Sequence, residues 1–395
     1  MKLAPYPDYK DAGVSWVGSI PAHWEAIKTK YVFRERVQKG YPNEPLLAAT
    51  QTKGVVLKSI YENRTVEAQN INYEILRKTP LSVPPTDEQT QIARFLDWKT
   101  AQINKFIRNK RRLIELLGEQ KQNVINQAVT RGLPAEAAAQ AGLDPNVKLK
   151  PSGVEWIGDI PEHWEVLPVR RCAKLVKTGG TPTGAGDEYF SSSGFNWFTP
   201  GDFKDDLYLA DSERQLSEIG KCSVKLFPPN TVMMIGIGGT IGKVSISRYK
   251  AGCNQQINGI VPNELINIEY FAFALRCLRD FIVSCGKFTT MPIINQDETK
   301  SLRIPVPPVP EQTDIVLYIN EECSAIDQAI TRAQREIELM REYRTRLISD
   351  VVTGQVDVRG IEVPEVAEDE LLALEEDTAE SDDVIDDEGD MDETD

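Results

Sequence analysis

Three stretches carry side chains that could meet a ligand, and all lie between residues 177 and 258. Lys177-Thr178-Gly179-Gly180-Thr181-Pro182-Thr183 is small, polar and turn-rich. Adjacent glycines let a backbone approach a ligand closely, and Lys and Thr can meet phosphate oxygens or base edges. The stretch lacks the GxxxxGK[ST] pattern of a nucleotide phosphate loop, and alone it reads as an ordinary loop. Gly236-Ile237-Gly238-Gly239-Thr240-Ile241-Gly242-Lys243 holds four glycines and a lysine. It sits between strand-like runs rather than ahead of a helix, which rejects a dinucleotide fingerprint. A hairpin turn with Lys243 on a phosphate backbone is the expectation. Asn254-Gln255-Gln256-Ile257-Asn258 is a cluster of amides. Such side chains can pair bidentately with adenine or form a buried network, and both readings stand. Lys287, Thr289 and Asn295 add donors further on.

Other chemistries are poorly supplied. The only histidines are His23 and His163, each beside a Trp and a Pro, with no third histidine to complete a dyad. They read as packing residues at the start of each domain. The six cysteines form no CxxC pair, which argues against a zinc ribbon or thioredoxin-like site, and a reduced, cytoplasmic setting is expected. Cys253 has no base beside it in sequence, so no thiol enzyme is expected. No DPPY or NPPY tetrapeptide occurs, so the chain looks unable to methylate adenine, and no nuclease-like PD…ExK arrangement is convincing. No catalytic or metal-binding residue is assigned. The residues MKLAPYPDYKDAG contain no apolar run, so no signal peptide is expected.

The formal charge of -15 is misleading. Residues 361–395 hold 18 acids and no Lys or Arg, leaving 42 acids against 45 bases in residues 1–360. The body is mildly basic, compatible with nucleic acid. The acidic end has few aromatics and is expected to be disordered. It serves solubility or, alternatively, mimics DNA.

The elements that must position the ligand-facing residues are repeated. Residues 13–25 read GVSWVGSIPAHWE and residues 153–165 read GVEWIGDIPEHWE, matching at ten of thirteen positions with an offset of 140. Residues 83–92, VPPTDEQTQI, match 306–315, VPPVPEQTDI, with an offset of 223. The first copy is therefore 83 residues shorter, and the loss falls between Trp24 and Val83.

Each Pro-rich phrase opens a helix of about 44 residues, about 65 Å long. Thr86 with Gln89 predicts a capping box, and Pro310 sits at a first helical position. Heptad rows are apolar in register in both copies: Ile107 and Ile114 answer Ile330 and Ile337, while Ile103 and Leu117 answer Ile326 and Met340. That predicts a seam through which the helices pair with each other. Lys110, Lys121 and Arg344 interrupt it and point to register control. Between the copies, the Gly, Pro and Ala content of residues 131–153 marks a linker. Within 166–305, runs at 231–237 and 242–247 read as strands and 269–281 as a helix, making an α+β domain.

Taken together, these features resemble the specificity (S) subunits of type I restriction–modification enzymes. The resemblance rests on the two GVxWxGxIPxHWE phrases, the two VPPxxEQ phrases and the closing VVTGQVDVRG at 351–360. It also rests on GGTP at 179–182, Trp197-Phe198-Thr199-Pro200-Gly201-Asp202, the Gly-rich turn at 238–242 and Asn254-Gln255. It covers residues 8–360. The resemblance implies an α+β fold: a two-copy repeat of target-recognition domain plus long helix, the helices pairing as an antiparallel coiled coil, then a disordered acidic tail. The divisions are a truncated first recognition domain (1–83), a first spacer helix (84–131), a linker (132–152) and a complete second recognition domain (153–306). A second spacer helix (307–354) and the tail (355–395) follow.

It further implies a non-catalytic DNA-specificity subunit of the cytoplasm. Its partners are double-stranded DNA, methyltransferase (M) subunits and restriction/translocase (R) subunits. S-adenosylmethionine belongs to the M subunit, ATP and Mg to the R subunit, and none to this chain. The expected DNA-binding residues are Lys177, Thr178, Gly179, Gly180, Thr181, Thr183, Lys243, Asn254, Gln255, Lys287, Thr289 and Asn295. The expected partner-binding helix residues are Ile103, Ile107, Ile114, Leu117, Ile326, Ile330, Ile337 and Met340. The short first copy departs from the pattern and puts bipartite reading in doubt. The rival expectation is a scaffold that binds the methyltransferase subunit but reads a half-site or no DNA.

Overall fold

The structure, a computed structural model, describes residues 4–13, 18–32, 47–50, 54–57, 77–182, 186–285 and 293–364. The chain divides into two compact units, 1–114 with 332–395, and 115–331. Two helices, Thr86–Arg131 and Val309–Val352, contribute to both.

In the first unit, Tyr9–Asp11 pairs antiparallel with Ser19–Pro21, and Glu25–Lys28 with Pro80–Val83. Tyr6, Ile20, Trp24, Ile92, Phe95, Leu347, Val351 and Val358 form its core. Trp24 is fully buried because the second long helix ends against it. Gly354, at φ +77°, follows that helix, and a side chain there would meet the Pro21 ring at 2.4 Å. Glycine takes this left-handed turn without a Cβ penalty. The chain then folds back: Asp357 N–H donates to Ala4 O at 2.8 Å, and Gln91 Nε2 donates to Val358 O and Ile361 O. Residues 355–364, expected as tail, are thus part of this core, because Val356 and Val358 supply apolar surface. The remaining tail, 365–395, lies outside the described residues.

Within this unit the long helices meet through Ile103, Ile107 and Ile337, all buried, with Ile114 and Met340 partly covered. Lys110 pairs with Glu336 at 2.6 Å, and Arg344 Nη1 donates to Asn104 Oδ1 at 3.0 Å. Residue 104 meets 344 and residue 110 meets 336, so the two segments run antiparallel. Truncating Ile337 to Ala should cost about 3 kcal/mol through the cavity left between Ile103 and Ile107. Urea unfolding checks this, and an unchanged midpoint would remove the contact from the account.

The capping box at Thr86 does not form. Gln89 Nε2 donates instead to Pro84 O at 2.9 Å, because the turn at Pro85 already receives the Glu88 and Gln89 amides.

The second unit holds a four-stranded antiparallel sheet in the order Ala173–Thr178, Ile257–Pro262, Thr231–Ile235, Val244–Ser247. A second sheet, Phe190–Ser191, Gln215–Leu216, Phe195–Phe198, Gly252–Cys253, has one parallel pair. Ile268–Arg276 packs its apolar residues on the first sheet. Tyr270, fully buried, donates to Val129 O and Pro305 O, which ties the end of the first long helix to this domain. The helix expected over 269–281 is broken. Arg279–Cys285 starts anew after Leu278, a fully buried residue at the break. The expected linker holds a short helix, Ala135–Gln140, and a strand, Leu149–Pro151, paired with Asp159–Pro161. Here Lys121 pairs with Asp327 at 2.7 Å, and Ile326 is buried, with Leu117 and Ile330 half-buried.

Candidate nucleic-acid interface

The strand Ala173–Thr178 ends where its neighbour Ile257–Pro262 begins, with Thr178 opposite Asn258 and Lys177 opposite Gly259. Beyond it the chain turns across the Asn254 segment. Gly179 N–H donates to Ile257 O at 2.9 Å and Gly180 N–H to Cys253 O at 2.8 Å. A Cβ on Gly179 would lie 2.2 Å from Cys253 O and 2.4 Å from Asn254 O, so only glycine permits this approach. Thr181 Oγ1 then donates to Gln255 Oε1 at 2.5 Å, with both residues exposed. Residues 74 apart in sequence thus form one rim, and Lys177 is exposed on the strand leading to it.

The amide cluster divides between its two readings. Asn254 is buried: its Oδ1 accepts from Gln256 N–H at 3.0 Å, and its Nδ2 donates to Gln256 Oε1 at 2.9 Å. Asn258, also buried, accepts from Thr178 Oγ1 at 2.8 Å and donates to Ile294 O and Thr299 Oγ1. These two fix the loop. Gln255 faces outward, and among the described residues its Nε2 has no protein partner.

The Gly-rich stretch is a turn between Thr231–Ile235 and Val244–Ser247. Gly236 N–H donates to Gln256 O at 2.7 Å and its carbonyl accepts from Ile294 N–H at 2.7 Å, so 236, 256 and 294 lie side by side. Asn295 follows directly, and its side-chain oxygen caps the helix Gln296–Ser301 by accepting from Asp297 and Glu298 N–H. Lys243 is in a different group. Its Nζ donates to Phe203 O at 3.4 Å, stands 3.8 Å from Asp205 Oδ1, and lines a cleft of about 420 Å³ with Lys121, Lys204, Arg276, Arg279, Asp205 and Asp327. Thr183, Lys287 and Thr289 lie outside the described residues.

Two residues escaped the sequence reading. Asn258 was seen only as one amide of its cluster, yet it anchors the loop. Arg214 is exposed, its guanidinium 3.9 Å from the Phe190 ring, and Phe190 packs edge-on against Trp197. Trp197 Nε1 donates to Gly180 O at 3.1 Å, so Arg214 is linked to the rim through this stack. No local signal marks Arg214.

Burial pushes the thiols of Cys253 and Cys277 up to about 12 and that of Cys172 to about 11. They stay protonated at neutral pH and are poor nucleophiles. Among the described residues no cluster of His, Cys, Asp and Glu could hold a metal, and no helix is long and apolar enough to cross a membrane.

The histidines take equivalent places in the two copies. His23 Nε2 lies 2.7 Å from Glu88 Oε2 and Trp24 Nε1 donates to Glu88 Oε1 at 3.1 Å. His163 lies 2.8 Å from Glu311 Oε2 and Trp164 Nε1 donates to Glu311 Oε1 at 3.0 Å. Each HWE phrase is thus locked to the glutamate of its own EQ phrase. The glutamines after those glutamates differ. Gln312 is fully buried and bonds Asn267 N–H, Leu265 O and Pro307 O, whereas Gln89 is exposed.

Residues 161–339 match the family described as the type I restriction modification DNA specificity domain. The chain is 25% identical over 200 residues to the type I restriction enzyme MjaIX specificity subunit of Methanocaldococcus jannaschii, covering 49% of this chain and 45% of that protein. It is 23% identical over 313 residues to the putative MjaX specificity subunit of the same organism, covering 75% and 64%. Among solved structures, the HsdS subunit from Thermoanaerobacter tengcongensis aligns with a TM-score of 0.41 and 15% identity over 75% of this chain and 66% of that one. The chain therefore spans about half to two-thirds of the length of these curated relatives.

Proposed function

We propose that this chain, which belongs to the specificity subunits of type I restriction–modification enzymes, addresses a cytoplasmic enzyme complex to double-stranded DNA through one complete reader, residues 153–306. The observation that carries the reading is the rim on which Thr181 and Gln255 meet, across a close approach at Gly179 that admits no side chain. Gln255 is the base reader, and Lys177 and Arg214 meet phosphates or stack beside it. Lys243 is a separate phosphate contact in its own cleft. The paired helices serve as a spacer, and their outer faces carry M subunits with S-adenosylmethionine. R subunits bring ATP and Mg. The chain itself performs no bond chemistry.

Among the described residues Gln89 Nε2 meets only Pro84 O, and this difference from Gln312 supports an incomplete first reader. Gln312 is satisfied by residues 265 and 267 of its own recognition domain, and the first copy's 83-residue shortfall falls in the corresponding region.

Each phosphate contact contributes about 0.9 to the slope of log affinity against log salt. Replacing Lys177 and Lys243 by Ala should flatten that slope by about two units without changing sequence preference. Fluorescence anisotropy on duplex DNA across a salt series checks this, and an unchanged slope would remove both lysines from the site.

A further inference from the structure

We propose that a cavity over His163 and Glu311 is a docking pocket for a tyrosine side chain supplied by a partner protein. The first copy supplies the template. There Tyr6, buried, donates its hydroxyl to Glu88 Oε1, the oxygen that also accepts from Trp24. Its ring lies 5.7 Å from the His23 ring and 5.8 Å, edge-on, from Trp24, and the Arg359 guanidinium stands 4.8 Å over its face. A histidine, a tryptophan, a carboxylate and an arginine thus enclose one phenol.

The second copy repeats three of these walls, His163, Trp164 and Glu311, without the phenol. Glu162 N–H donates to Lys148 O at 2.8 Å, as Ala22 N–H donates to Asp8 O at 3.0 Å, so the two backbones run in register at this point. Two residues earlier, Tyr6 is answered by Asn146. Asn146, Val147, Leu133 and Arg131 line a cavity of about 630 Å³ that reaches His163 and Glu311. Glu311 is buried, and among the described residues its Oε1 accepts from Trp164 alone, where Glu88 Oε1 accepts from two donors. A buried carboxylate oxygen with spare acceptor capacity, at a cavity lined by both apolar (Leu133, Val147) and polar (Arg131, Asn146) side chains, suits a phenol: the ring packs on the former and the hydroxyl meets the charge. Arg131 can stand over the ring as Arg359 does over Tyr6.

The occupant is a tyrosine beside prolines, as Tyr6 is in Ala4-Pro5-Tyr6-Pro7-Asp8, entering side chain first with its own backbone outside the cavity. Residue 148 already takes the backbone place of Asp8, so the pocket accepts a side chain from outside and not a strand. This assignment is independent of DNA reading.

The test titrates a labelled peptide APYPDY into the full chain by anisotropy, beside a peptide with Phe at the first tyrosine. The expected result is saturable binding of one peptide per chain, about tenfold weaker for the Phe peptide from loss of one charge-assisted hydrogen bond. Asn146→Tyr, which supplies the ring in cis, should abolish binding and raise the melting temperature, and Glu311→Gln should weaken binding similarly to the Phe peptide. No binding, or binding indifferent to both Phe and Asn146→Tyr, would overturn the proposal. Self-association that Asn146→Tyr abolishes would assign the pocket to a second copy and overturn the partner assignment.

Discussion

Replacing Glu88 by Ala should destabilise the first unit by about 3–5 kcal/mol, the scale for removing one member of a buried hydrogen-bonded charge cluster. Glu88 is buried and gathers Tyr6, His23 and Trp24, and its loss leaves three groups without their acceptor. Amide exchange over Ser19–Pro21 and Glu25–Lys28 should quicken by at least a hundredfold, while the equivalent strands Asp159–Pro161 and Glu165–Pro168 keep their protection. Burial acts to raise the Glu88 carboxyl, but hydrogen bonds from Tyr6, His23 and Trp24 outweigh it and hold the group below its ordinary 4.5. A carboxyl whose folded value is depressed adds stability that is fully present above the unfolded value and is lost as pH falls through the folded one. The cluster should therefore weaken from about pH 4.5 downward, and Glu88→Gln should flatten that acid limb. Unchanged exchange in Glu88→Ala, or an acid limb as steep in Glu88→Gln, would show that the cluster does not hold this unit.

The second large effect is expected at Gly179. An added methyl would stand 2.2 Å and 2.4 Å from two backbone oxygens, of Cys253 and Asn254, which cannot swing away as a flexible side chain would. The two segments of the rim must separate, at about 1–3 kcal/mol for overpacking. Separation moves Thr181 from Gln255, so Gly179→Ala should lower affinity for the cognate duplex by about ten- to a hundredfold. Non-specific binding, which rests on phosphate charge, should hardly change. The Ile103–Ile107–Ile337 contact belongs to the first unit and shares no residue with the rim, so it should persist, and its loss would mean general misfolding. Equal loss on cognate and scrambled duplexes would place Gly179 outside sequence reading.

Much of this was legible in the sequence because it is local or repeated. The long helices follow from heptad spacing, and Lys110, Lys121 and Arg344, which interrupt that spacing, each bond the opposing helix. The strands at Thr231–Ile235 and Val244–Ser247 follow from apolar runs between glycines. What stayed hidden depends on distant partners. Gln355-Val356-Asp357-Val358 sits beside an acidic run, and only folding back onto Ile92 and Trp24 makes its valines core. Ala135–Gln140 is rich in alanine, a strong helix former, but flanking Gly and Pro disguised it as linker. The break before Arg279 was invisible because apolar residues continue through it. At the rim, glycines and amides could be named, but not that Thr181 meets Gln255, that Asn254 turns inward, or that Arg214 joins through Trp197. The EQ glutamates were visible as a phrase, but not as the acceptors for both HWE phrases.

The central claim is that this chain gives a methyltransferase its sequence address through the rim of residues 153–306. The most direct measurement co-expresses the chain with the methyltransferase subunit of its own operon and maps adenine methylation across the genome by long-read sequencing, with Gln255→Ala beside the wild type. The account predicts methylation at a defined motif in the wild type and relaxed preference at one base of that motif in Gln255→Ala. A copurifying complex that methylates no defined motif, or a motif unchanged by Gln255→Ala, would contradict it.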